Sequence, residues 1–189
     1  MLGNRAMDFL SVSFQYFVAG RHAYSCRFVP VSANLFHHAF EMIFKARILE
    51  TRYTPEHLKQ KPYGHSLGRL WTEFKSLTGA THLAQHDPAI AGLDTFEEIR
   101  YPNFPKGHSI IMVGERDLNL ASSTATVSMT RTGPVSSNAS VYTVNLEAMD
   151  LLFKDVTVAF PLNPEFIKST ILQTPEAMTT YLRDNRHPI

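Results

Sequence analysis

Residues 33–49 carry a regular pattern of apolar and polar side chains. Apolar residues recur there at three- and four-residue steps, which is the spacing of one face of an α-helix. A second stripe on the same segment is polar, and its members are Asn34, His38, Glu41 and Lys45. Because side chains three and four positions apart stack on one helical face, the segment predicts a long, mostly buried helix with a line of polar groups along it.

Other segments show the same helical period. The positions that set it are Met7, Leu10, Phe14 and Phe17, then Leu67, Leu70, Trp71, Phe74 and Leu77, then Leu93, Phe96 and Ile99, and finally Leu146, Met149, Leu152, Phe153 and Val156. The first helix is expected to end near Gly20, and residues 51–64, which include two prolines, are expected to form a loop. Two short helices are expected after Asn163 and Thr174, since a proline follows each.

Short runs rich in β-branched residues interrupt this helical pattern. The runs are 110–113, 125–129 and 141–146, and residues 132–138 supply turn formers. We interpret them as a small antiparallel hairpin or three-stranded patch inserted at about residues 108–145, because so few strands need a helical surface to pack against. The predicted fold is mainly α: one domain over residues 1–189, an antiparallel helical bundle with a small β-hairpin insertion.

Composition narrows the classes of protein that the chain can belong to. It has 189 residues, 44% of them hydrophobic, and a net charge of +1, which suits a packed globule and argues against binding nucleic acid through overall charge. The single cysteine, Cys26, cannot form an internal disulfide, so a reducing, cytoplasmic setting is expected. Since no apolar run approaches the roughly 20 residues that span a bilayer, we expect no membrane crossing.

The sequence lacks the familiar catalytic and cofactor motifs. It contains no glycine-rich phosphate loop, no nucleophile elbow and no histidine–glutamate zinc motif. Only His38 with Glu41 has the spacing of metal ligands, whereas a di-metal carboxylate site repeats such ligands on several helices. The sequence therefore predicts no metal and no other cofactor.

Several short motifs follow one another in a particular order. They are Tyr16 with Arg21, Phe40-Glu41-Met42, Lys45-Ala46, Gly64-His65-Ser66-Leu67 and Arg100-Tyr101-Pro102. In this order the chain resembles the HEPN superfamily of helical domains over residues 9–102, with a looser match over residues 146–160. The resemblance implies an up-and-down helical bundle that often dimerises and occurs in toxin–antitoxin partners, in ribonucleases and in noncatalytic modules.

The catalytic members of that superfamily carry an arginine followed four to six residues later by a histidine, near the start of a late helix. Arg52 and His57 satisfy this interval. They fall in the basic segment 52–61, which lies before the third helix and also carries Lys59 and Lys61, and Pro55 is expected to prevent a regular helix between them. Histidine titrates near neutral pH and arginine stabilises developing phosphate charge, so the pair has the chemistry of a metal-independent ribonuclease. The basic segment also carries Tyr53 and is the first place to look for bound RNA.

The polar stripe has two interpretations. Glu41 and Lys45 are four residues apart and form a favourable helix pair, so the stripe is interpreted first as a structural network that reaches His65 or Arg100. It is interpreted second as a pocket for a small anionic or nucleotide ligand. The candidate binding residues are His38, Glu41, Lys45, His65, Arg69 and Arg100. His37 is expected to face water or a partner subunit.

Two functions follow as hypotheses. The first is a noncatalytic HEPN-like interaction or ligand-binding module that forms a homodimer and binds a partner protein, RNA or a nucleotide. The alternative is a metal-independent endoribonuclease of the toxin–antitoxin type that uses Arg52 and His57.

Overall fold

The computed structural model describes residues 4–51, 54–59, 63–99, 109–115, 129–130, 139–160, 162, 164–171 and 174–189, and these residues are mainly helical. The helices are α1 (Asn4–Ser25), α2 (Val29–Leu49), α3 (Pro55–Lys59), α4 (Leu67–Thr78), α5 (Asp87–Ile99), α6 (Leu146–Ala159), α7 (Pro164–Ile171) and α8 (Pro175–Leu182), with a 3-10 helix at Thr81–His86. The strands are β1 (Ser109–Glu115), β2 (Met129–Thr130) and β3 (Ala139–Asn145). Among the helices described, none is long and apolar enough to cross a membrane.

The first two helices, α1 and α2, form an antiparallel pair at the centre of the core. Ser13 Oγ donates a 2.7 Å hydrogen bond to the carbonyl of Ala39, and the ring of Phe17 lies 5.4 Å from that of Phe36. Later positions on α1 thus meet earlier positions on α2. A Cβ at Gly20 would come within 3.0 Å of the Phe36 ring, so glycine allows the closest approach of the two helices.

A third helix, α6, covers this pair through one aromatic side chain. The ring of Phe153 stacks 3.8 Å from that of Phe17 and meets the ring of Phe14 edge-on at 5.5 Å, which is favourable for aromatic pairs. Asn145, the last residue of β3, caps α6 by accepting a 2.9 Å hydrogen bond from the backbone N–H of Ala148. The strand therefore continues directly into the helix that closes the core.

The helix α4 begins where a side chain of α5 fixes it. Asp94 accepts hydrogen bonds from the backbone N–H groups of Leu67 at 2.8 Å and Gly68 at 3.4 Å, which satisfies two donors that a helix start leaves free. Further along, the indole Nε1 of Trp71 donates a 2.6 Å hydrogen bond to Asp87. These contacts hold the start of α4 in place, and with it the preceding turn that carries His65.

Several helix bounds differ from the sequence prediction. Helix α1 continues past Gly20 to Ser25, because packing against α2 outweighs the low helix propensity of glycine. The short helix α3 lies within the predicted loop; it starts at Pro55, where a missing N–H costs nothing. Helix α5 begins at Asp87, because the 3-10 helix before it leads directly into it.

β1 and β3 lie where the β-branched runs predict strands, whereas β2 overlaps the run 125–129 only at Met129, since residues 125–128 lie outside the described residues. The pairing of β1 with β3 differs from the prediction. β1 pairs with β3 in parallel, with Ile111 opposite Val141, and β2 pairs with β3 in antiparallel, giving the order β1-β3-β2. The prediction of a purely antiparallel patch is therefore wrong for the longest pair; the 23 residues between the two strands are enough for the crossover that a parallel pair requires. The hairpin itself stays a prediction, because residues 131–138 lie outside the described part of the chain.

A buried ion pair ties the first helix to the end of the chain. Arg21 on α1 is fully buried and donates to Asp150 on α6, to the carbonyl of Arg183 and, at 3.4 Å, to the carbonyl of Thr180 on α8. Burial raises the pKa of Asp150 to about 6, and the charge of Arg21 opposes this shift only in part. The guanidinium of Arg21 thus links α1 to α6 and α8, which come much later in the sequence.

Candidate functional site

The carboxylate of Glu41, buried in the middle of α2, lies close to four basic side chains: His37, His38, Lys45 and His65. We call these five residues the Glu41 cluster. Lys45 Nζ lies 2.5 Å and His65 Nδ1 lies 3.2 Å from Glu41 Oε1. On the other oxygen, Oε2, His38 Nδ1 lies at 3.5 Å and His37 Nδ1 at 4.0 Å. His65 Nδ1 also lies 3.4 Å from Oε2, so this histidine contacts both oxygens of Glu41.

Local helix geometry explains most of this arrangement. His37, His38 and Lys45 stand four residues before, three residues before and four residues after Glu41, so all three project toward the same side of α2. His65 comes from the turn before α4, whose position Asp94 fixes. Three of the four basic side chains thus come from the same helix as Glu41, and His65 comes from a separate part of the chain.

The electrostatics of the cluster favour an ionised carboxylate. Burial acts to raise the pKa of Glu41, but the hydrogen bond with His38 and the positive charge of Lys45, together with His65, outweigh it and hold the pKa at about 2. Glu41 is therefore negatively charged at neutral pH. An isolated buried carboxylate would be costly, and the basic partners compensate for that cost.

Exposure rises steadily across the cluster. The side chains of Glu41 and His37 are 1% exposed, that of Lys45 is 8%, that of His38 is 24% and that of His65 is 61%. A solute therefore reaches the cluster from the side of His65 and His38. The inner side, at His37, is shielded from water.

The structure brings together four of the six residues that the sequence selected as ligand-binding candidates. His38, Glu41, Lys45 and His65 are in contact. Arg69 is exposed on the first turn of α4 and, in the described part of the chain, makes no bond to them. Arg100 lies outside the described residues, so its role stays a prediction.

The expectation for His37 is wrong: its side chain does not face water but is buried against the core. Helix α2 is buried on more than one face, so a position beside the polar stripe is also covered. The sequence contained a signal for this, because His37 and Glu41 are four residues apart, the spacing that places side chains together on a helix.

The predicted ribonuclease pair is described only at one member. His57 is exposed on α3, with its Nδ1 3.0 Å from Thr54 Oγ1, whereas Arg52 lies outside the described residues. Helix α3 starts at Pro55, whose fixed φ suits a helix start, and Thr54 before it is not helical. The pairing of Arg52 with His57 stays a prediction.

A second histidine–carboxylate contact was not foreseen. His86 Nε2, at the end of the 3-10 helix, lies 2.8 Å from Asp155 Oδ2 on α6, and Gln85 donates a 3.0 Å hydrogen bond to the same oxygen. His86 is buried, so we interpret the contact as structural. His86 and Asp155 are 69 positions apart in the sequence, so no local signal predicts their contact.

No family model, curated protein or solved structure matches this chain. The HEPN resemblance therefore depends on the sequence motifs alone. The chemistry of the chain has to be argued from the Glu41 cluster itself, which offers an ionised carboxylate, an ammonium group and three imidazoles.

Proposed function

We propose that the protein is a noncatalytic, HEPN-like helical module that binds a small anionic ligand, such as a nucleotide, at the exposed edge of the Glu41 cluster. The observation that carries this proposal is the imbalance of groups in the cluster. One carboxylate faces an ammonium group and three imidazoles, so the basic groups outnumber the acidic one.

The side chains that reach solvent are suited to an anion. His65 approaches Glu41 through Nδ1, which leaves its Nε2 on a mostly exposed ring. Lys45 is more buried than His65 and supplies an ammonium group, and Arg69, four residues after His65, is exposed. An anion at this edge would meet imidazole, ammonium and guanidinium donors, and hydrogen bonds to charged groups are the strong ones.

Thermal unfolding with phosphate, AMP and ATP tests the proposal. A ligand at a hundredfold its dissociation constant adds about 2.7 kcal/mol to the free energy of unfolding, which is readily seen as a higher Tm. The His65→Ala variant is expected to lose the shift while staying folded, because His65 is mostly exposed. The matched control is His57→Ala, which removes another exposed histidine and is expected to keep the shift. The absence of a shift in the unmodified protein at millimolar ligand would reject the proposal.

We also propose that the module is a homodimer. Phe28 and Val31 are 61% and 51% exposed and stand three residues apart at the start of α2, which gives a second copy an apolar surface to cover. Light scattering is expected to give twice the chain mass, and the Phe28→Ser/Val31→Ser variant is expected to be monomeric. Val158→Ser, which removes another exposed apolar side chain, is the control. A monomer at high protein concentration would contradict this part of the proposal.

A second candidate function is the metal-independent endoribonuclease, and one observation favours it. His57 is exposed on α3, where a bound RNA can reach its imidazole, and histidine is the usual acid–base group near neutral pH. Incubation with single-stranded and structured RNA in the presence of a chelator tests it. Cleavage that disappears in both His57→Ala and Arg52→Ala would support the candidate; cleavage that persists in His57→Ala would reject the site.

A further inference from the structure

The inner side of the Glu41 cluster has the composition and spacing of a metal site. One ligand atom each of His37, His38 and Glu41 lies within 4.8 Å of the others. Two histidines and a carboxylate form a donor set that transition-metal dications prefer. His37 and Glu41 are buried and come from one helix, so the set is held by α2 alone.

The distances at Glu41 Oε2 fit shared ligation of one ion. Hydrogen bonds from nitrogen to oxygen are commonest at about 2.9–3.0 Å, whereas His38 Nδ1 and His37 Nδ1 lie at 3.5 and 4.0 Å. An ion about 2.0–2.1 Å from each ligand would separate two ligands by ~3.4 Å at the tetrahedral angle. The three ligand atoms, which lie within 4.8 Å of one another, would therefore approach each other by up to about 1.4 Å to close around a zinc-sized ion.

We propose that His37 Nδ1, His38 Nδ1 and Glu41 Oε2 bind a divalent transition-metal ion of the zinc type, with a fourth position open toward the partly exposed face of His38. The open side follows from exposure, because His38 is the only one of the three ligands that solvent reaches. Three protein ligands with one open position are typical of a zinc site that accepts water or an anion.

The site does not depend on the proposed anion-binding function, because the two use different basic side chains. His37 and His38 are the metal ligands, whereas Lys45 and His65 are the donors of the anion proposal. Lys45 has the opposite effect on the two ligands: its positive charge attracts an anion and repels a dication bound to the same carboxylate. Substitution of Lys45 therefore separates the two proposals.

Metal titration of the full chain tests the inference. After dialysis against a chelator, Zn²⁺ is titrated by calorimetry, and Co²⁺ is titrated by its visible absorption, which distinguishes four-coordinate from six-coordinate ions. One equivalent of Zn²⁺ and a four-coordinate Co²⁺ spectrum are expected. Loss of a residue that only hydrogen-bonds to a metal ligand weakens metal binding roughly 10–100-fold. His38→Ala removes a ligand itself, so a larger loss of Zn²⁺ affinity is expected. Because His38 is partly exposed, this variant tests the site even where His37→Ala does not fold.

Two further variants complete the test. Lys45→Met is expected to bind Zn²⁺ about tenfold more tightly or better, because a neighbouring positive charge is removed. His22→Ala is the control for binding at the surface, since His22 lies 3.7 Å from the Cys26 sulfur and the two form another potential ligand pair. Unchanged Zn²⁺ affinity in His38→Ala, loss of binding in His22→Ala, or no binding to the unmodified protein would each overturn the inference.

Discussion

Replacement of Arg21 with methionine tests the buried ion pair that ties α1 to α6 and α8. Methionine has a similar length and no charge, so the change removes the guanidinium and leaves Asp150 as a buried carboxylate. Removal of one partner of a buried pair costs about 3–5 kcal/mol, because the remaining charge has neither water nor a counter-ion. The carbonyls of Thr180 and Arg183 lose their donor as well, so we expect a loss at the upper end of that range.

Urea unfolding at pH 7.5 measures the loss. The control is Arg5→Met, which removes an exposed arginine from the same helix and is expected to change the free energy of unfolding by less than about 0.5 kcal/mol. The double variant Arg21→Met/Asp150→Leu is expected to be more stable than Arg21→Met, because no charge is left buried. A single variant within 1 kcal/mol of the unmodified protein, or a double variant less stable than the single one, would refute the reasoning.

The same pair predicts a pH dependence. Burial raises the pKa of Asp150 to about 6 from its ordinary value of 3.8, so this group contributes its full stability below pH 4 and loses it as the pH rises through 6. At pH 5 the acid is largely protonated with or without Arg21. The cost of Arg21→Met is therefore expected to be smaller at pH 5 than at pH 7.5, and an equal or larger cost at pH 5 would contradict the assignment.

Three other variants test separate features of the fold. Gly20→Ala is expected to lose about 1–3 kcal/mol in urea unfolding, because the new Cβ would lie 3.0 Å from the ring of Phe36. Asp94→Ala is expected to lose about 1 kcal/mol and to increase amide exchange at the start of α4, whose N–H groups it caps. Glu41→Gln, compared with the unmodified protein in chelator, is expected to be less stable at pH 6, and the difference is expected to shrink as the pH falls from 4.5 toward 2, since the pKa of Glu41 is lowered to about 2.

Local sequence signals predicted the helices that depend on local features. The periods of α4 and α6 and the start of α8 after Thr174 were correct, because apolar spacing and caps act within a few residues. The start of α5 and the parallel pairing of β1 with β3 were not foreseen. Strand direction depends on how the chain returns to the sheet, which no short run of residues encodes.

In the Glu41 cluster, too, the contacts between neighbouring residues of one helix were easier to predict than those with distant residues. The spacing of His38, Glu41 and Lys45 on one helix made their contact predictable, and His65 was one of two partners that the sequence left open. His37 was wrongly expected to face water, because the stripe of Asn34, His38, Glu41 and Lys45 was taken as the whole polar face of α2. Arg69 was chosen by residue type alone; it is exposed on the first turn of α4, and within the described residues no bond joins it to the carboxylate.

The position of Arg21 also bears on how the chain folds as it is made. The helical hairpin of α1 and α2 leaves the ribosome early, but the acceptor at Arg183 is added 162 residues after Arg21. At about 5–20 residues per second the arginine spends roughly 8–30 s before that carbonyl exists. Because an unpaired guanidinium is costly to bury, we expect the core around Arg21 to close only after Asp150 and the last helices have been made.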